Sequence, residues 1–401
     1  MPNVVAIGTY LPCWGSSLRR VAGDDEDAIT MAVEAGRAAL TSGAGVERVV
    51  LVSRNLPLLE SSNAAVLLAG LGLDPELEVD ERIGGAPATL DAISSARPRT
   101  LIVGVDLEPA GAAAVITADG TSGGLQVRTA ARLARSLPVR TRNATGAVHD
   151  YGDPRLLHER GLIASLAAAW LDTPAGIAGV DHERTVDLCI GDPAPLPTLG
   201  ASSSVFALAA MAETGRTGPL VAAEQASLSG MTVSDGTARV YRQEPPARTA
   251  PTGTDNTTGG DIPISLAAYE RAFEAKTRWE AGRFSGSDEL DFPPRYRVAD
   301  DGTLATDYEM VPLPRTGTVH AETTVYLPVP GLRTPYTLVI VELDGVDIRA
   351  LVKVTGVEAG TAAIGDRGRL TLRRIAVRSG VPDYGYMFEP APTGGAAGVA
   401  A

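Results

Sequence analysis

Through residue 243 the chain alternates short apolar runs with helical segments rich in alanine and glycine, and that alternation leaves few folds open. Strands are expected at Val4–Gly8, Val49–Val52, Thr100–Val105 and Ala113–Thr117, with a helix at Asn63–Gly70. Asp24-Asp25-Glu26-Asp27 opens another helix, where acidic residues meet the positive end of its dipole. Ile29, Val33, Gly36 and Leu40 follow at helical spacing. A second α/β stretch has a helix near Leu157–Leu171, a strand at Thr185–Ile190, a helix at Ser203–Glu213 and a strand at Leu220–Ala223. Strands that alternate with small-residue helices predict a layered sheet covered by helices. Gly120-Thr-Ser-Gly-Gly124 lacks a phosphate-loop signature and reads as a turn between strands.

The texture then changes. Residues 244–262 are rich in Pro, Thr and Gly and read as a linker. Pro263 stands where a helix over Ile264–Ala281 would begin, a position at which its missing N–H is not needed. Strands at Gly317–Tyr326, Tyr336–Leu343, Ile348–Thr355 and Arg369–Val377 predict an all-β OB-fold barrel. The expected domains are thus 1–243 (α/β), 263–390 (helix plus barrel) and a disordered tail at 391–401.

Composition excludes several functions. Lys and Arg number 35 against 48 Asp and Glu, and the resulting charge of −13 repels a phosphate backbone, so nucleic acid is excluded as the main partner. Two cysteines cannot build a disulfide framework, and no zinc-type cysteine or histidine spacing occurs. No apolar run reaches the ~18 residues a spanning helix needs, and no basic stretch precedes Val4. No membrane partner and a soluble, cytoplasmic protein are the expectation.

Val5-Ala-Ile-Gly-Thr-Tyr-Leu-Pro12 and the long ungapped Asp25-Glu-Asp-Ala-Ile-Thr-Met-Ala-Val-Glu-Ala-Gly-Arg-Ala-Ala-Leu40 resemble 3-hydroxy-3-methylglutaryl-CoA synthase, of the thiolase superfamily. Ala86–Leu90, His149–Pro154 and Gly200–Ser202 add weaker matches. The resemblance covers residues 1–240 and implies two similar α/β halves in a five-layered, normally dimeric arrangement. Asp291-Phe-Pro-Pro-Arg-Tyr-Arg297, Arg315–Val319, Thr334-Pro-Tyr336, Val339–Asp344 and Ile364-Gly-Asp366 are similar to the acyl-CoA-associated OB-fold family that carries a rubredoxin-like zinc ribbon. Proteins of that family usually work beside a thiolase-fold partner.

Thiolase-type carbon–carbon chemistry needs a cysteine thiolate, a general acid/base and oxyanion donors. The resemblance implies the nucleophile at Ile83, the glutamate base at Asn55 (flanked by Arg54 and Leu56) and the histidine at Gly191. None of the three can do that chemistry, so the expectation is an α/β unit that has lost its active site. The zinc ribbon is emptied likewise: Val298 and Asp301 occupy cysteine positions, and no metal is expected. That segment would rest instead on Phe284, Phe292, Tyr296 and the turn Asp300-Asp301-Gly302.

Of the remaining reactive groups, Cys189 lies in an apolar strand and Cys13 beside Leu11-Pro12, and both read as inert thiols. His149, Asp150 and Tyr151 form the single His/Asp/Tyr cluster and could supply acid/base chemistry without a covalent step. His158, His182 and His320 read as surface residues. Arg295 and Arg297 suit CoA phosphates, although a solvated or interface-pairing arginine is the favoured reading of each.

Three functions follow. The first is a non-catalytic subunit that stabilises a thiolase or acyltransferase, or self-associates as a homodimer, with no cofactor beyond a CoA thioester ligand. The second is an acyltransferase, a hydroxymethylglutaryl-CoA synthase-like condensing enzyme or a retro-aldolase that works without cysteine. The third is a free-standing acyl-CoA sensor or carrier.

Overall fold

The computed structural model describes all residues except 1–2, 60–62, 121–122, 136–139, 144, 151–155, 170–172, 183–194, 251–273, 295–296, 299–300, 328–331, 379 and 393–401. The chain divides into unit 1 (Met1–Gly23 with Asp27–Thr249) and unit 2 (Ala250–Ala401 with Asp24–Glu26).

Unit 1 is built twice over. Strand β1 (Asn3–Tyr10) leads into helix α1 (Ala28–Leu40), β2 (Arg48–Ser53), α2 (Asn63–Leu71), β3 (Glu78–Ile83), α3 (Ala86–Ser94), β4 (Thr100–Leu107) and β5 (Ala110–Ala118). Across the sheet these strands run β3-β2-β4-β5-β1. β2 is parallel to β3 and β4, while β5 is antiparallel to both β4 and β1.

The second half comprises β6 (Leu125–Ala134), the hairpin β7 (Arg140–Arg142) and β8 (Val148–Asp150), a π-helical stretch (Leu156–Ile163) running into α4 (Ala164–Ala168), β9 (Gly176–Ala178), α5 (Ser203–Thr214), β10 (Gly218–Ala223) and β11 (Ser227–Val233). Its order β9-β10-β11-β6 repeats β2-β4-β5-β1 with the same strand senses: one parallel pair, then two antiparallel ones. α5 precedes β10 as α3 precedes β4. The halves meet where β1 pairs with β6 (Asn3 with Gln126, Val4 with Leu125), and β12 (Arg239–Gln243) adds to β1 in parallel.

The packing gives five layers. α1 and α2 cover the outer face of the first half. α3 and α5 lie between the two sets of strands, where Leu90, Ile93, Val205 and Leu208 join Ile102, Val115, Leu220 and Met231 in one core. The π-helical stretch and α4 close the far side with Leu162 and Leu166 against Val221 and Leu228. Small residues permit this close layering: alanines fill β5 and α5, and nearly all of α1 is buried. α1 begins where the acidic run predicts, with Asp27 as N-cap accepting from the Ile29 and Thr30 N–H groups at 3.0 Å each. The expected strand Thr185–Ile190, with Cys189 and Gly191, lies outside the described residues.

In unit 2 the expected helix over Ile264–Ala281 ends early. Only Glu274–Arg278 is helical among its described residues, because Trp279 turns to φ +61° and strand β13 (Glu280–Phe284) starts directly after it. β13 pairs with β14 (Leu290–Asp291) and β15 (Tyr308–Pro312). The barrel strands are β16 (Thr316–Val325), β17 (Tyr336–Leu343), β18 (Arg349–Lys353), β19 (Arg367–Arg378) and β20 (Val381–Pro390), in the order β18-β17-β16-β19-β20. A parallel bridge between Val354 and Phe388, with Thr355 N–H donating to the Phe388 carbonyl at 2.9 Å, closes the ends into a barrel. β20 was not expected from the sequence.

Candidate functional site

The two inner helices begin close to carboxylates that the duplicated topology supplies crosswise. At the start of α5, Asp106 of β4 accepts from the N–H groups of Ala201 (2.7 Å) and Ser202 (2.8 Å) and from the Ser202 hydroxyl (2.6 Å). At the start of α3, Glu224, one residue past β10, pairs with Arg54 beside Gly85, the N-cap of α3. β4 and β10 are counterparts in the two halves, so each half sends a carboxylate to the other half's inner helix. The positive helix ends favour those charges.

A glycine makes each seat possible. A Cβ at Gly85 would overlap Glu224 Oε1 and lie 2.7 Å from Arg54 Nη2, and a Cβ at Gly200 would overlap Asp106 Oδ1. Arg54 links the two ends electrostatically. Burial pushes the Asp106 carboxyl above the ordinary carboxylate range, while its Ser202 and Ala201 bonds and the Arg54 charge pull the other way. Ser202 is fully buried and shares a 2.7 Å hydrogen bond with Thr198, so its hydroxyl is committed to Thr198 and Asp106.

The residues singled out from the sequence are distributed unevenly around this centre. Ile83, at the expected nucleophile position, ends β3 with its side chain 84% exposed. Asn55 is exposed beside Arg54, with its N–H on Ser53 Oγ and its Oδ1 accepting from Arg142. His149 stands exposed on the β7–β8 ribbon opposite Thr141, and Asp150 stands opposite Arg140. Tyr151 and Arg295 lie outside the described residues, and of Arg297 only its place in a two-residue strand is described. His182 is exposed. His320 is exposed too, with Nδ1 3.7 Å from Glu342. Cys13 is partly buried.

In the ribbon segment Val298 is 73% exposed. Asp301 serves a turn: its Oδ1 accepts from the Thr303 N–H (2.9 Å) and hydroxyl (2.6 Å), bonds that hold its carboxyl below the usual range. Phe284 packs on Tyr308 at 5.2 Å and Phe292 on Trp279 at 4.7 Å.

Sequence reasoning missed Glu224 and Asp106 altogether and met Arg54 only as a neighbour of Asn55. The signal within reach was the pair of glycines preceding small-residue helices, Gly84-Gly85 and Gly200. What fills their space comes from another half of the fold.

Residues 310–373 match the family of the ChsH2 C-terminal OB-fold domain. No curated protein matches the chain. Among solved structures, 3-oxoacyl-(acyl carrier protein) synthase III, FabH, from Pseudomonas aeruginosa PAO1 is similar at 17% identity and a TM-score of 0.46, over 59% of this chain and 98% of that one. A variant of Xanthomonas campestris OleA gives 15% identity and a TM-score of 0.49, over 58% and 98%. The synthase III of Aquifex aeolicus VF5 gives 15% and 0.44, over 59% and 100%. Unit 1 has a duplicated, layered α/β architecture, and unit 2 contains the β barrel within which residues 310–373 match the OB-fold family model.

Proposed function

We propose that this chain is a non-catalytic partner subunit that stabilises an active thiolase or acyltransferase and helps shape its CoA or acyl site. One observation carries the reading: the Arg54–Glu224 pair fills the space at the start of α3, beside the position where the resemblance places a nucleophile. Glu224 is paired with Arg54 at that helix start, and exposed Ile83 offers no nucleophilic atom. The combination of a thiolase-like unit with a ChsH2-type OB unit supports an acyl-CoA-related role. In this reading Arg295 and Arg297 meet CoA phosphates, and a homodimer is an alternative assembly.

Co-purification from the native host, with the partners identified by mass, tests the reading. The expected result is a cysteine-bearing thiolase-fold enzyme in fixed ratio to this chain. Purified chain that turns over acyl-CoA alone would overturn it.

A further inference from the structure

Strand β17 is apolar on both of its faces. Thr337, Val339, Val341 and Leu343 are buried inside the barrel, while Tyr336, Leu338 and Ile340 alternate with them on the outside. In β18, Ala350 and Val352 are buried and Leu351 between them is 68% exposed. The register sets Ile340 opposite Leu351 on one side and opposite Ala321 of β16 on the other. Three neighbouring strands therefore share an apolar row on the outer face. A sheet solvated on one side alternates apolar with polar residues, and a strand apolar on both sides suits cover on both.

Charge brackets this row. Glu342 stands opposite Arg349, 3.5 Å from its Nη2, and His320 Nδ1 lies 3.7 Å from the same carboxylate. At the other end Leu338 stands opposite Lys353, whose Nζ donates to the Ile375 carbonyl at 2.9 Å and lies 5.0 Å over the Tyr336 ring. Glu342 and Arg349 cancel, so a strongly acidic or basic partner meets no opposite excess there. A second copy of this chain does find a match. A two-fold axis along the β17–β18 seam lays β17 of each copy over β18 of the other at the same register level. Glu342 then meets Arg349, Ile340 meets Leu351, and Leu338 meets the alkyl stem of Lys353, each twice. In a chain of net charge −13, a face whose charges cancel lets two copies approach without repulsion.

We propose that the outer face of β17 and β18 joins two copies of this chain through unit 2, sheet on sheet. This goes beyond the partner-subunit reading and fails separately from it. Co-purification reports the enzyme partner, whereas sedimentation of the purified chain reports the second copy.

Sedimentation velocity on the full chain over a range of concentrations tests it. The expected result is a dimer whose Kd rises about a hundredfold in Leu351→Glu, about tenfold for each of the two copies buried. Leu351 is exposed in the single chain, so the circular dichroism of that variant should match wild type. Arg349→Glu sets like charges against each other twice and should also weaken the dimer. Adding Glu342→Arg to it should restore association. A chain that stays monomeric at every concentration would overturn the proposal. So would a dimer indifferent to Leu351→Glu, or a double charge variant that associates no better than Arg349→Glu.

Discussion

Trp279→Ala is expected to lower the stability of unit 2 by about 3–5 kcal/mol, the range for removing a large buried aromatic side chain. Trp279 is 2% exposed, and its Nε1 donates to the Pro314 carbonyl at 2.9 Å. Its ring meets Phe292 at 4.7 Å and 61°, and Tyr386 at 4.9 Å and 46°, with Arg315 4.9 Å over the Tyr386 ring. One side chain therefore joins the segment after β14, the turn before β13 and the barrel strand β20. The sequence has no cysteines with which a metal could hold that segment, so aromatic packing takes the task. Trp279→Phe should cost less, because an aromatic ring still meets Phe292 and Tyr386 while the Pro314 hydrogen bond and the packing of the second ring are lost. Urea titration followed by far-ultraviolet circular dichroism measures both variants. A shift under about 1 kcal/mol for the alanine variant would mean that the cluster is peripheral.

Asp106→Ala should destabilise unit 1 by about 2–4 kcal/mol, because two backbone N–H groups and a hydroxyl lose their acceptor at a buried helix start. Asp106→Asn separates shape from charge and gives the pH dependence its sign. Burial raises the native carboxyl's pKa above its unfolded value, so the native state holds the proton more tightly than the unfolded chain does. The stability of wild type relative to Asp106→Asn should therefore increase as pH falls through the native pKa. It should level off below the unfolded value. Thermal melts of both proteins across the acid range measure this, and the opposite slope would show that the hydrogen bonds outweigh burial.

The two carboxylates show how much of this molecule is legible in the sequence and where legibility ends. Elements whose signal is local read well. α1 is announced by its acidic entry and helical apolar spacing, and β2, β4 and β5 by continuous apolar runs that suit strands buried on both faces. β3 (Glu-Val-Asp-Glu-Arg-Ile) escapes because it is the sheet's edge strand and no residue of it is fully buried, so it has no apolar pattern to show. β20 does carry a period-two signal in Tyr384, Tyr386 and Phe388, all buried, yet the glycines and prolines around it resemble a tail. Trp279 ends a helix from a left-handed conformation that few non-glycine residues adopt, so the extension to Ala281 follows propensity and misses the turn.

The site is harder still. Ile83 and Asn55 mark losses that a resemblance can locate, but Arg54, Glu224 and Asp106 meet only through the duplicated topology. Charged side chains at strand ends look like ordinary surface residues in a sequence. Only the packing of α3 and α5 between the halves brings them to the helix starts.

Incubating the purified chain with acetyl-CoA and recording its intact mass tests most directly whether the inner-helix site is retired. The expected result is an unchanged mass, because the Arg54–Glu224 pair occupies the start of α3 and exposed Ile83 offers no thiolate. A stable acyl adduct mapped to any residue of unit 1 would contradict it.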